Sequence, residues 1–102
     1  MNKTEELLRK LRGHLAYAKQ MKPYQVFTDE NLKELLKAKP KTLGELKKIK
    51  GFPEDGARVN KYGQAIVDIF NKADKIEDFT VHIDKDGDAV ATTKTKKLNL
   101  FG

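Results

Sequence analysis

The chain has 102 residues, 35% of them charged, and 21 lysines and arginines against 15 acids give a formal net charge of +6. This length allows one domain, or one domain with a tail. With no cysteine it has no disulfide framework or thiolate metal site, and it shows no apolar run of membrane-spanning or signal-peptide length, so the expectation is a soluble, intracellular protein.

In chain order, Thr4 to Met21 is predicted as the first helix, capped by Thr4. Leu7, Leu8, Leu11, Leu15 and Ala18 fall on one side at 3.6-residue spacing. Arg9 and Arg12 are expected to point away from that stripe. Gly13 weakens the pattern, and His14 sits beside the stripe as a packing residue rather than a metal ligand. Pro23 to Phe27 is expected as a short extended loop, since Pro23 biases Lys22 away from helix. Val26 and Phe27 should plug the core, while Tyr24 either packs or stands exposed beside Lys22. Thr28 or Asp29 caps a helix ending near Lys39, with Leu32, Leu35 and Leu36 on its core face and Pro40 as its stop. Lys39, Pro40 and Lys41 make a rigid basic turn.

Thr42 and Glu45 form a capping-box pattern opening the next short helix. Gly51 suits a left-handed helix end, and Pro53 is predicted to open another short helix, with Glu54 and Asp55 in its first turn. A Tyr62-Gly63 break leads into an apolar helix carrying Ile66, Val67, Ile69 and Phe70. Residues 72–78 are polar and expected to fray. From Phe79 to Thr95 the pattern alternates with a strand period, with Val81 and Ile83 on one side and Thr80 and His82 on the other. Asp86-Gly87 is a favoured two-residue hairpin turn. An isolated hairpin is marginal, so this one must dock on the helices or stay mobile. The last residues, 96–102, carry no usable period.

Asp84, Asp86, Gly87 and Asp88 resemble the opening of a calcium loop, but Ala89 stands where that loop needs glycine and Thr95 where it needs a bidentate acid. A hairpin turn is the better reading, and no metal or cofactor is expected. The chain also lacks serine, so the common nucleophiles are missing, and no phosphate loop of the GxxxxGK[ST] type occurs. Catalysis is therefore not expected.

Binding remains. Six lysines and a single acid lie between Lys37 and Lys50, a local excess suited to a polyanion. Lys41, Lys48 and Lys50 surround the Gly51 corner, which joins two short helices in a manner close to a phosphate-binding helix–hairpin–helix. Arg58 and Lys61 follow on the next helix. Tyr24 can offer a ring for base stacking. The candidate contacts are thus Lys22, Tyr24, Lys39, Lys41, Lys48, Lys50, Arg58 and Lys61.

These residues fall into a known pattern. LRKLR at 8–12, Pro-Tyr-x-Val-Phe at 23–27, Asp29 with Leu32, Thr-Leu-x-Glu-Leu at 42–46, Ile-x-Gly-Phe at 49–52 and Lys-Tyr-Gly at 61–63 together resemble the HRDC domain, the helicase and RNase D C-terminal module, over about residues 4–72. The resemblance implies a compact, all-α bundle of five helices over residues 1–78, with residues 79–102 as a C-terminal tail or linker, extended, disordered or hairpin-like. It implies an auxiliary, non-catalytic role in a RecQ-type helicase or an RNase D-like nuclease. The partner would be DNA or RNA bound weakly through phosphates, single-stranded or partly double-stranded DNA with the single strand favoured, alongside other domains of the parent enzyme, in a cytoplasmic monomer that is nucleoid-associated if bacterial. In some family members the residue matching Tyr24 contacts nucleic acid, and in others the surface docks protein, which is the alternative here. Two departures stand out. Pro53 replaces the second glycine of the family's Gly-x-Gly corner and supplies no N–H, and about two extra residues precede Arg58.

Overall fold

The computed structural model describes residues 2–96. Helix α1 spans Lys3–Lys19, α2 Pro23–Val26, α3 Asp29–Ala38, α4 Leu43–Leu46, α5 Ala57–Asn60 and α6 Gly63–Lys72. A 3-10 turn at Ala73–Lys75 leads into strand β1, Ile76–Ile83, which pairs antiparallel with β2, Ala89–Thr95.

The helix ends follow from local chemistry. Asn2, not Thr4, caps α1: its side-chain oxygen accepts the Glu5 N–H at 2.8 Å. Thr28 and Asn31 cap α3 reciprocally, Asn31 N–H to Thr28 Oγ1 at 3.1 Å and Thr28 N–H to Asn31 Oδ1 at 2.9 Å. Thr42 caps α4 through the Glu45 N–H at 3.1 Å, but the Glu45 carboxylate reaches back one residue further, to the Lys41 N–H. Gly51 takes the left-handed backbone expected of it, with φ +96°.

An all-α, five-helix bundle is not what forms. There are six helices and a two-stranded sheet among the described residues, an α/β mixture. The added helix is α2: Pro23 at its first position fixes φ without losing a needed donor, and the Gln25 side chain accepts the Lys22 N–H at 2.8 Å. The region after Pro53 also differs. Gly56 N–H bonds back to the Pro53 carbonyl at 3.0 Å in a tight turn, so α5 begins at Ala57 and leaves Glu54 and Asp55 in the loop.

The larger correction concerns the C-terminal segment, which is part of the core. Ile76, Phe79, Ala89 and Ala91 are buried with Leu8, Leu11, Leu15, Ile66 and Ile69. Small residues in β2 let its backbone approach the helices, and Ala91 donates its N–H to the Lys61 carbonyl at 3.1 Å. Thr93 donates its hydroxyl to Asp68 at 2.9 Å. On the other side His14 meets Phe79 edge-on and bonds Asp78 at 2.9 Å. The turn has three residues rather than two: Asp84 N–H bonds the Asp88 carbonyl at 2.9 Å, Gly87 N–H bonds the Asp84 carbonyl at 3.0 Å, and Gly87 has φ +83°. This is the type I turn followed by a left-handed residue.

Arg12 faces inward, against expectation. It is 8% exposed, its guanidinium donates to the Phe27 carbonyl at 3.2 Å and to Asp29 at 2.8 Å, and it lies over the Phe27 ring. The Arg12 hydrogen bond also holds the Asp29 carboxyl below its ordinary range. A buried cation persists only when paired and bonded in this way.

Candidate nucleic-acid interface

Arg58 is the centre of one group of the candidate residues. Its guanidinium donates to the Val26 carbonyl at 2.9 Å, the Gly51 carbonyl at 2.9 Å and the Asn31 side chain at 3.2 Å, and it lies over the Phe52 ring. One side chain thereby ties α2, the start of α3 and the Gly51 corner together. Lys22 and Tyr24 sit on α2, and Lys50 adjoins Gly51. The structure thus brings Lys22, Tyr24 and Lys50 to one end of the molecule, beside the C-terminal end of α1. Behind them Tyr62 is buried, which pushes its phenol up to about 12.

The free charges differ from the occupied ones. Lys22, Lys48 and Lys50 are exposed, and among the described residues none has an ion pair or a side-chain hydrogen bond. Tyr24 is 59% exposed. Lys39 is exposed too, and its backbone is left-handed at φ 50° where it ends α3. Lys41 is exposed and its ammonium caps the end of α6 at the Phe70 carbonyl, a favourable place for a cation. Lys39 and Lys41 line one cleft with Asn2, Thr4 and Phe70, so they lie at the N-terminal end of α1. Seventeen helical residues separate the two ends by about 25 Å. The segment 41–50 runs from one end toward the other, with Lys47 and Lys48 between. Lys47 pairs with Glu54 at 3.6 Å. The basic residues are therefore strung from one end of the body to the other rather than clustered at the corner.

The corner's own amides are used internally. Phe52 N–H bonds the Ile49 carbonyl and Gly56 N–H the Pro53 carbonyl, and Pro53 has no N–H. Side chains, not backbone, are what this corner offers a phosphate.

Lys61 is occupied. Its ammonium sits among three carboxylates of the hairpin turn, 2.8 Å from Asp84, 3.3 Å from Asp86 and 3.9 Å from Asp88. The Asp84 bond raises the Lys61 pKa, and the same bond, with the Asp88 and Asp86 N–H groups, holds the Asp84 carboxyl down to about 2. The acids that suggest a calcium loop thus bind a side chain and cap their own turn. The roles of Arg58 and Lys61 were not visible in the charge pattern. The one available signal was the spacing of Asp84, Asp86 and Asp88, three acids close together in a basic chain, which attract a cation.

Tyr24 and the lysines at 22, 48 and 50 are thus exposed on a small α/β body. In the family comparison, the HRDC domain model matches residues 2–70, and the chain belongs to the HRDC family. HRDC domains are auxiliary, generally non-catalytic modules that bind nucleic acid and contact other domains. No curated protein and no solved structure gives a significant match. No helix among the described residues is long and apolar enough to cross a membrane. The hairpin lies outside the matched residues.

Proposed function

We propose that this chain is the auxiliary, single-strand-binding module of a larger intracellular helicase or RNase D-like nuclease, acting as a monomer. The observation that carries this reading is the pairing of an exposed Tyr24 with unpaired lysines, held together by Arg58. A strand lies along the body with Lys22, Lys48 and Lys50 on phosphates, Lys39 and Lys41 extending the path, and a base on Tyr24. Arg58 and Lys61 serve by position: the first shapes the α2–corner junction, the second anchors the hairpin. Sequence is not read, because lysines on phosphates carry no base information.

The test is titration with a short single strand at several salt concentrations. About three neutralised phosphates give a slope of log K against log[salt] of roughly −2. Amide shifts should concentrate at Lys22, Tyr24 and residues 48–50. A flat salt response, or shifts absent from these residues, refutes the reading. Binding to an isolated helicase core but not to the strand would assign the basic residues to protein docking instead.

A further inference from the structure

Two features of α1 that the proposed function leaves idle lie one helical turn apart. Tyr17 is 88% exposed, more than Tyr24 or Ile83, the other exposed large apolar side chains among the described residues. A single exposed aromatic is ordinary. Gly13, four residues earlier, is less so. It lies inside a seventeen-residue helix, where glycine weakens the element relative to alanine. Neither common reason for a glycine applies. Its φ is not among the positive ones, and a methyl group built on it would touch nothing within 4 Å.

The two features explain each other. Side chains on a helix lean toward its N-terminus, so Tyr17 leans over the turn that contains Gly13. The missing side chain at 13 leaves the flank of the ring clear for a flat ligand. The position is also continuous with the basic end of the molecule. Gln20 N–H bonds the Tyr17 carbonyl at 3.1 Å as the helix ends, Lys22 follows, and Tyr24 stands just beyond it.

We propose that Tyr17, with the open slot at Gly13, is a second base-stacking platform. A strand whose phosphates meet Lys22 stacks one base on Tyr24 and another on Tyr17, which carries the site onto the outer face of α1. This rests on the reading of the chain as a single-strand binder, and the experiment separates the two.

The chain has three tyrosines and no tryptophan, and Tyr62 is buried, so tyrosine emission reports mainly on positions 17 and 24. Phenylalanine stacks but is nearly dark at tyrosine wavelengths. The probe is a short end-labelled oligothymidylate, with binding read by anisotropy and stacking by quenching. In Tyr24→Phe the remaining emission should fall on binding, and in Tyr17→Phe/Tyr24→Phe that change should vanish while affinity is kept. Tyr17→Ala should weaken binding about fivefold or more. Gly13→Gln should raise the thermal midpoint yet weaken binding, a combination that a purely structural glycine does not produce. If the unmodified protein binds the probe but Tyr17→Ala binds equally well and Tyr24→Phe is not quenched, the second platform is overturned and the parent reading stands. If the unmodified protein does not bind at all, both fall.

Discussion

Arg58 shows how far a residue's charge can mislead about its work. Counted as a cation it belongs to the basic surface. In place, it spends three hydrogen bonds on Val26, Asn31 and Gly51. Charged hydrogen bonds of this kind contribute about 1.5–3 kcal/mol each, but not additively. Arg58→Ala should therefore destabilise the protein by about 2–4 kcal/mol, read as a lower urea midpoint. Arg58→Lys should recover little, because an ammonium cannot reach three divergent acceptors as a planar fork does. Arg12 teaches the same lesson inside the core. It sits four residues after Leu8 and three before Leu15, at the edge of the leucine stripe, but spacing is silent about the Phe27 carbonyl and the Asp29 carboxylate that hold it inward. The exposure of the lysines at 22, 48 and 50 was legible because solvent is the default for lysine, whereas that of Tyr24 was one of two outcomes the sequence left open. Which of the charged residues are occupied was not legible, since partners come from distant parts of the chain.

Among the elements, α1 and α6 were readable from periodicity, α3 from periodicity and its Thr28 cap, and the hairpin from its alternation. The one-turn helix at Pro23 was not readable, because four residues carry no period. Nor was the choice between a docked and a mobile hairpin. Alternation says that a strand has an apolar face, not what covers it. Here α1 and α6 cover it, and Phe79→Ala should cost about 3–5 kcal/mol, a large part of the 5–15 kcal/mol typical of a domain. The measurement is the denaturant midpoint, with faster amide exchange across both strands. Lys61 and the turn acids respond to pH. Asp84 is held at about 2 in the folded protein against about 3.9 unfolded. A depressed carboxyl stabilises fully above the unfolded value and loses that contribution as pH falls through the folded one. Melting temperature should drop between about pH 4 and pH 2, and Asp84→Asn should flatten that drop. Asp78, lowered to about 2 chiefly by its His14 hydrogen bond, acts in the same direction and should leave a residual slope in the variant.

At the scale of the whole molecule, the basic residues and the hairpin divide the labour. Lysines 39, 41, 48 and 50 follow the middle of the chain along the body, while the acids of the turn draw Lys61 away from that path. Under the proposed reading, the surface offered to a polyanion is narrower than the net charge suggests, and the modest salt slope expected above follows from the few ammonium groups left free. The hairpin also completes the body. Ile76 is fully buried and Ala91 is 3% exposed, six and twenty-one residues past the end of the family match at 70. A fragment trimmed to the recognisable homology would leave a bare hydrophobic flank, and anyone transplanting this module into another protein must carry the ribbon with it.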